Sequence, residues 1–384
     1  MERIVILGAG FGGLAVAEGL DPLMGTGKVD VTLVDRSPSF NMGFSMQWVL
    51  VGRRRPEEGE RRYTSLTTRN VKFVLDEVTA IDTPEKIVHL KSRRLPYDRL
   101  VIALGAELAP ELVPGLAEGA YNLCSLPSVL QLKEAVERVE EGSVLVAVSS
   151  VPFKCPPSPY EYAFLIDDIL RTREVREKVK VAISTPEERP MAVAGKAVGD
   201  QVVAMLKERG IEYHPGHKPK SVDVKQRRVK YENGAELPYG ILGAVPPQRA
   251  PKITRSAGLA DASGFVPVDL MTMETSVKGV YAIGDSAALR LPNGAPHPKA
   301  GVFAEAQGTA LARRLGAELG GAPAGEYDGK GTCYVDVGGD RAAPAVIELL
   351  AKDGPKAVLE APSSQGLSLK RQYEKERFRR WFGE

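Results

Sequence analysis

Short apolar runs alternate with helical segments along most of the chain, a pattern typical of parallel α/β sheets. Residues 3–7 predict a buried strand, and glycines between positions 8 and 13 open a helical pattern that continues to residue 20. Residues 31–34 predict a second strand that ends at Asp35. Further strands and turns continue to about residue 109, so we expect a first domain over residues 1–110.

The same alternation begins again in the next part of the chain. It predicts helices over 128–140 and 160–171 and strands over 144–148 and 179–183, hence a second domain over residues 111–235. A strand over 277–283 and a helix over 301–319 predict a return to the first domain over 236–320. Residues 321–384 hold a β-like run, a helix near 343–351 and a final helical segment over 369–382. The expected fold class is α/β, with two Rossmann-like domains and a C-terminal segment.

Composition excludes several classes of protein. The 51 basic and 49 acidic side chains give a formal net charge of +2, so we expect no nucleic-acid partner. No apolar run is long enough for a membrane-spanning helix. The first residues lack the order of a secretory signal, and we expect a cytoplasmic location. Three cysteines in 384 residues are too few for a disulfide framework, and we therefore consider them as candidate reactive residues.

The glycine turn predicts a dinucleotide site. In such a turn Gly8 permits the tight bend, Gly10 lets the backbone approach a pyrophosphate, and Gly13 allows the helix to pack closely on the strand. The helix that begins near Phe11 directs its N-terminal N–H groups at the anion. Asp35, which Arg36 follows, lies where an acid can bind a ribose hydroxyl.

Two segments indicate which dinucleotide is bound. Residues 97–105 (YDRLVIALG) and 279–285 (GVYAIGD) resemble two paired signatures of flavoproteins with two dinucleotide-binding domains. The resemblance implies FAD, with contacts from Ala103, Gly105, Gly284 and Asp285, although Asp285 in an ordinary acidic turn is the alternative. The segment that follows Asp35 has no cysteine for covalent attachment, so we expect non-covalent FAD.

The middle domain lacks a second glycine turn. Its first strand is followed by the segment SSVPFKCPP, residues 149–157. Without glycine the backbone cannot easily approach a pyrophosphate, and the three prolines lack N–H groups. We therefore expect that the nicotinamide pocket is lost and that Cys155 stands in its place.

The cysteine motifs point to one family. Residues 155–161 (CPPSPYE), residues 298–301 (PKAG) and Cys333 in the run GTCY resemble the sulfide:quinone oxidoreductase and flavocytochrome c sulfide dehydrogenase family over nearly the whole chain. The resemblance implies a redox disulfide between Cys155 and Cys333 on one face of the flavin, with Cys124 as a third cysteine. It also implies attack by a small sulfur substrate on this disulfide and a quinone as the electron acceptor.

The remaining site predictions each have an alternative. Lys154 and the following helix start favour a thiolate at Cys155. Glu161 resembles a family acid-base residue, but an acid in the first turn of a helix also complements its dipole. Lys299, with Ala300 and Gly301 at a helix start, is predicted near the flavin pyrimidine, the alternative being a solvated lysine. For the cysteines the alternative is small buried residues.

Other features leave the function open. The region 185–199, where quinone-reducing members usually carry a histidine, has none, and His214 with His217 has no third ligand nearby, so we expect no metal. Residues 367–384 are predicted either to contact a membrane surface peripherally at its inner face or to dock on the protein.

Alternative functions are an NADH:quinone reductase-like flavoenzyme, a cytochrome-linked sulfide dehydrogenase flavoprotein and a non-catalytic flavin-binding partner protein. A homo-oligomer is left open.

Overall fold

The structure is a computed structural model that describes residues 1–320 and 325–384. Its first part contains β1 (Glu2–Leu7), α1 (Phe11–Met24), β2 (Val29–Asp35), β3 (Ser39–Asn41), α2 (Ser45–Leu50), β4 (Glu60–Arg62), β5 (Lys72–Leu75), β6 (Val78–Asp82), β7 (Ile87–Leu90), β8 (Arg94–Pro96), β9 (Arg99–Ile102) and β10 (Glu107–Leu108). The middle part contains α3 (Leu116–Gly119), β11 (Tyr121–Asn122), α4 (Leu126–Arg138), β12 (Gly142–Val148), α5 (Ser158–Thr172), β13 (Val179–Ser184), α6 (Lys196–Glu208), β14 (Glu212–His214), β15 (Pro219–Asp223), β16 (Arg228–Tyr231), β17 (Glu236–Pro238), β18 (Ile241–Val245) and β19 (Gln248–Arg249).

The chain then continues through two further groups of elements. The first contains α7 (Lys252–Ser256), β20 (Val266–Pro267), β21 (Val280–Ala282), β22 (Ala287–Ala288) and α8 (Gly301–Glu318). The second contains β23 (Lys330–Gly338), β24 (Arg341–Glu348), β25 (Lys356–Leu359) and α9 (Ser364–Phe382). The predicted boundary between residues 320 and 321 falls at the edge of the described residues.

Two parallel sheets form the framework. The first has the strand order β21-β9-β1-β2-β5, and β21 pairs with β9 in parallel, so a late segment of the chain returns to the first sheet. The second has the order β11-β18-β12-β13-β14. Strands of both sheets are almost continuously apolar because helices cover both faces of a parallel sheet. The predicted fold class, α/β with two Rossmann-like domains, is confirmed.

The return to the first domain comes later than the sequence predicts. The expected boundary between residues 235 and 236 lies inside the antiparallel sheet β15-β16-β17, and β18 pairs with β12 in the middle sheet. The middle domain therefore extends to the end of β18 at Val245. The Pro246-Pro247 pair directly after β18 was the signal in the sequence that marks this boundary.

The C-terminal region is an antiparallel sheet covered by a helix. Its strand order is β23-β24-β25, and the helix predicted near 343–351 is wrong because most of that segment forms β24. The alanine- and leucine-rich composition favours a helix locally, but β24 pairs on both sides with neighbouring strands. Tertiary pairing overrides local propensity here.

The last helix docks on the protein. Trp381 is 1% exposed, and its ring lies 5.6 Å from Phe40 and 5.8 Å from Phe11, measured between centroids. α9 thus covers the start of α1 with an aromatic cluster, which agrees with the docking alternative. No helix within residues 1–320 and 325–384 combines the length and the apolar character that crossing a bilayer requires.

Candidate functional site

The glycine turn after β1 has the shape that a dinucleotide requires. A β-carbon on Gly8 would lie 2.3 Å from the carbonyl oxygen of Ala103, and one on Gly13 would lie 1.8 Å from the carbonyl oxygen of Gly8. A β-carbon on Gly10 would meet no protein atom within 4 Å. Two of the glycines therefore permit close packing, and the third borders open space where a pyrophosphate could approach the backbone.

Two helix N-termini meet beside this turn. The ring of Phe11, the first residue of α1, lies against Gly301, where a β-carbon would be 2.9 Å from the ring. Ala300 is the N-cap of α8. Asp35 accepts a hydrogen bond from the Ala9 N–H at 2.7 Å and so fixes the turn, whereas Arg36 is exposed. The positive ends of both helices are suited to an anionic cofactor.

The two flavoprotein-like signatures are adjacent in space. Ser286 donates a hydrogen bond to the carbonyl of Gly105 at 2.6 Å, and the Gly284 N–H donates to the Gln307 side chain at 2.7 Å. The carboxylate of Asp285 lies 3.7 Å from the ammonium of Lys154. The turn, the signatures and α8 line one edge of the first sheet, and their donors and open space fit FAD.

Lys299 is not a solvated lysine. It is 5% exposed, and its ammonium donates to the carbonyls of Asp285 at 2.8 Å and Ala287 at 3.0 Å. Burial lowers the pKa of Lys299 to about 8, opposed by the charge of Asp285. A positive charge is thus held at the edge of the first sheet, and its predicted place near the flavin stays a prediction.

A pair of alanine substitutions separates packing from cofactor binding. Gly13→Ala is expected to lower the free energy of unfolding of the protein without FAD by more than about 1 kcal/mol, because the new β-carbon collides with backbone. Gly10→Ala is expected to leave that stability unchanged but to reduce the FAD retained per chain about tenfold. Thermal unfolding and the flavin absorbance of purified protein measure the two effects. Full FAD retention in Gly10→Ala would contradict the assignment of the turn.

Cys155 and Cys333 are brought together although they lie far apart in the sequence. Cys333 is on β23, which packs against α5, and Cys155 precedes α5 with its N–H donating to the carbonyl of Lys299 at 2.7 Å. A charge on Cys333 would raise the pKa of Cys155, so the sulfur atoms are within electrostatic reach of each other. Both are free thiols and are partly buried.

Burial opposes the predicted thiolate at Cys155. Burial raises the pKa of Cys155 far above its usual range and raises the pKa of Cys333 to about 12. The ammonium of Lys154 is drawn to Asp285 instead. Lys370 is the cation that lowers the pKa of both thiols, against the larger effect of burial.

Lys370 belongs to a buried polar network that the sequence did not reveal. It forms an ion pair with Glu161, and the exposed fractions of the two side chains are 2% and 1%. Glu161 also accepts hydrogen bonds from Gln47 at 2.8 Å and from the Asp336 N–H at 2.9 Å. Burial raises the pKa of Glu161, and the Lys370 ammonium opposes this rise. The carboxylate thus has a tertiary partner and does more than complement the dipole of α5.

Cys124 lies beside the cysteine pair rather than within it. Its pKa is raised to about 11 by burial, while the charge of Lys154 lowers it and that of Asp285 raises it. A charge on either Cys124 or Cys155 would raise the pKa of Tyr162, so Tyr162 lies near both. Cys124 therefore lies near Lys154 and Asp285, Cys333 lies near Glu161 and Lys370, and Cys155 is near Glu161 and Lys370 and also within reach of Lys154.

Two cavities lie on opposite sides of β23. Successive strand residues face opposite ways, so Thr332 and Tyr334 line one cavity and Cys333 lines the other. The larger cavity has a volume of about 500 Å³ and lies between α8, β23 and α9. The smaller has a volume of about 60 Å³, and its wall is mostly proline, valine, alanine and other apolar side chains.

Comparisons with known proteins agree with this arrangement. Residues 2–148 match the family model described as pyridine nucleotide-disulphide oxidoreductase, and residues 129–246 match the central part of the flavoprotein chain of sulfide dehydrogenase (flavocytochrome c). A mitochondrial sulfide:quinone oxidoreductase of Dictyostelium discoideum is 28% identical over 353 residues, which are 87% of this chain and 75% of that protein. An NADH dehydrogenase-like protein of Mycobacterium tuberculosis is 26% identical over 309 residues, 76% of this chain and 74% of that protein.

A solved structure shows the same fold. The sulfide:quinone oxidoreductase of Aquifex aeolicus superposes with a TM-score of 0.87 at 22% identity, covering 98% of this chain and 90% of that one. The chain is therefore a flavoprotein oxidoreductase with two dinucleotide-binding domains, and over most of its length it is similar to sulfide:quinone oxidoreductases and, in its middle part, to the flavoprotein chain of flavocytochrome c sulfide dehydrogenase.

Proposed function

We propose that the protein oxidises hydrosulfide through a disulfide of Cys155 and Cys333 and passes the electrons through non-covalently bound FAD to a quinone. The observation that carries this proposal is that both cysteines lie within electrostatic reach of each other and of the buried Glu161–Lys370 pair. The names of the related proteins support sulfide as the donor and quinone as the acceptor.

The cysteines supply the first chemical step. Hydrosulfide attacks one sulfur of the disulfide, a sulfur-sulfur bond forms, and the bond between the cysteines breaks. One cysteine becomes a persulfide and the other leaves as a thiolate that holds the electron pair. The ammonium of Lys370 stabilises this thiolate, since it lowers the pKa of both sulfurs. FAD, when bound, would take up the electron pair and the persulfide proton while the thiolate bonds to the outer sulfur of the persulfide and closes a trisulfide between the two cysteines, and it would then deliver the electrons to an acceptor.

The larger cavity suits the electron acceptor. Its volume of about 500 Å³ lies in the range of small-molecule sites. Apolar side chains form one strip of its lining, and charged and polar side chains form much of the rest, the apolar ones being Val302, Ala306, Ala310 and Leu369 and the charged ones Glu305, Arg313, Glu326, Asp328, Lys330, Glu376 and Arg377. A quinone needs an apolar wall for its ring and polar groups for its two oxygens. Because this cavity and the one at Cys333 lie on opposite faces of β23, donor and acceptor need not compete for one site.

Exposed apolar side chains support a peripheral membrane contact next to this cavity. Thr332, which lines it, pairs with Val346, and Val346 pairs with Val358, so the three lie in one row across the C-terminal sheet. Val346 and Val358 are 49% and 65% exposed, and Leu369 on α9 is 37% exposed. A membrane surface would cover this patch and deliver a lipid-soluble quinone.

An NADH-dependent reductase is the competing function, because one relative is an NADH dehydrogenase-like protein. The turn after β12 argues against it. Phe153 is 3% exposed there and packs into the core, and the Lys154 N–H is already bonded to the Gln248 side chain at 3.1 Å. Few backbone donors remain for a second pyrophosphate.

Separate half-reactions test the proposed function. Sulfide is expected to bleach the oxidised flavin under anaerobic conditions, NADH is expected to have no comparable effect, and a water-soluble quinone should restore the colour. Ala306→Phe, which narrows the larger cavity, should slow recolouring by quinone about tenfold or more and leave bleaching unchanged. Rapid bleaching by NADH and none by sulfide would refute the proposal.

A further inference from the structure

The small cavity at Cys333 contains a carboxylate that the chemistry described above does not use. Glu187, 9% exposed, comes from the loop after β13 and lines the cavity together with Cys333. A volume of about 60 Å³ holds only a few molecules the size of water. The lining is mostly apolar, which suits a small neutral molecule.

We propose that the carboxylate of Glu187 takes the proton from neutral dihydrogen sulfide in this cavity and so produces the hydrosulfide that attacks the disulfide. This inference rests on the function proposed above and names the group that prepares its nucleophile. The step is balanced: dihydrogen sulfide and the carboxylate become hydrosulfide and the carboxylic acid, and the hydrosulfide then breaks the disulfide.

The other titratable groups on the cavity wall are unsuited to this step. Within the described chain they are His297, Lys299 and Cys333. His297 faces the Pro298 carbonyl through Nδ1 at 2.9 Å and the Tyr327 hydroxyl through Nε2 at 2.7 Å, so both ring nitrogens are engaged. Burial lowers the pKa of His297 to about 4. Lys299 is held by two backbone carbonyls and is largely protonated near neutral pH, because its pKa is about 8.

Glu187 is held in a position to exchange a proton. The Tyr160 hydroxyl donates to its Oε2 at 2.8 Å, and the Ala192 N–H donates to its Oε1 at 3.2 Å. Burial raises the pKa of Glu187, and these donors, with the Thr185 hydroxyl, oppose the rise. A carboxylate with a raised pKa is a stronger base, and its acid form still releases the proton.

A second phenol lies near the group that holds Glu187. The hydroxyl of Tyr213, on β14, lies near that of Tyr160, and a charge on Glu187 or Glu188 would raise the pKa of Tyr213. The Tyr213 hydroxyl is buried and makes no hydrogen bond within the described residues, so the base in this cavity is Glu187 alone.

The test is the pH dependence of flavin bleaching by sulfide in stopped flow with the FAD-loaded protein. Glu187→Gln is expected to bleach about 100-fold more slowly than the wild type near pH 6. As the pH is raised, the bleaching rate of Glu187→Gln should increase about tenfold per pH unit, because free hydrosulfide replaces dihydrogen sulfide. Glu188→Gln, the change of the exposed neighbour, is the matched control and should retain the wild-type profile.

Tyr160→Phe gives a second test that does not require removal of the carboxylate. It removes one donor to Glu187, so the pKa of Glu187 rises and the midpoint of the bleaching profile should move up by about one pH unit. The infrared band of the protonated Glu187 carboxyl, recorded without sulfide, should titrate at the same midpoint and should move with it.

The outcomes distinguish this inference from the function on which it rests. If sulfide bleaches the wild type and Glu187→Gln follows the Glu188→Gln profile, the role of Glu187 is refuted and the cysteine chemistry stands. If sulfide does not bleach the wild type, both proposals fail. If Glu187→Gln does not fold, an unmoved midpoint in Tyr160→Phe refutes the inference.

Discussion

Replacing Cys333 with serine is expected to slow the bleaching of bound flavin by sulfide at least a thousandfold, since loss of a covalent nucleophile typically removes most of the catalysis. Serine is close in size, so the packing of β23 against α5 should persist. The hydroxyl cannot form the disulfide or accept sulfur as a persulfide. Stopped-flow absorbance in the flavin band measures the loss.

The controls for Cys333→Ser use the other two cysteines. Cys155→Ser should cause the same loss, because both sulfurs are needed for one disulfide. Cys124→Ser removes a thiol that lies with Lys154 and Asp285, outside the Glu161–Lys370 group, and should slow bleaching far less. Equal bleaching in Cys333→Ser and wild type would show that sulfide reduces the flavin without this cysteine.

Removing the charge of Lys370 is expected to destabilise the protein strongly. Lys370→Met leaves Glu161 buried without its cation, and breaking one side of a buried ion pair costs about 3–5 kcal/mol. Urea unfolding measures the change. Lys375→Met alters an exposed lysine of the same helix and should stay within about 0.5 kcal/mol of wild type.

The pH dependence of this effect has a defined sign. Without Lys370 the largest effect that opposes the burial-induced rise in the Glu161 pKa is lost, and only the weaker effect of the Asp336 N–H remains against it. A group whose pKa is raised on folding contributes stability below its unfolded pKa and loses it as the pH rises through the folded value. The loss of unfolding free energy caused by Lys370→Met should therefore become smaller as the pH falls toward 4.5, the ordinary pKa of a glutamate.

A double substitution separates the loss of the ion pair from lost packing. Glu161→Gln combined with Lys370→Met removes both charges and should recover at least half of the lost stability, since no uncompensated charge remains. If the double variant is as unstable as the sum of the two single variants, the ion pair is not the cause.

Local motifs could be predicted from the sequence because their signal is local. The glycine turn and the strand that ends at Asp35 depend on neighbouring residues, and the α/β class follows from the alternation of apolar runs. The pairing of Cys155 with Cys333 came only from family resemblance. The helix expected near 343–351 failed because pairing with β23 and β25, not composition, decides the conformation of β24.

The groups around the cysteines were missed because they come from distant segments. Gln47 and Lys370 reach Glu161 from α2 and α9, and no spacing within one segment reveals such a contact. One signal was present: Lys370 and Glu374 occupy positions of the α9 face that also buries Leu367 and Phe378, where apolar residues are expected. Glu187 was missed for another reason: only a histidine was expected within residues 185–199.

The position of Lys370 on α9 has a consequence for biosynthesis. Both cysteines and Glu161 leave the ribosome before the lysine that neutralises the carboxylate, so the centre is electrostatically incomplete while translation is in progress. Until α9 folds onto the body, Glu161 lacks its cation and both thiols lack the charge that favours ionisation. On the proposed mechanism, redox competence would therefore be acquired late in synthesis, and chains that stop before α9 would not acquire it.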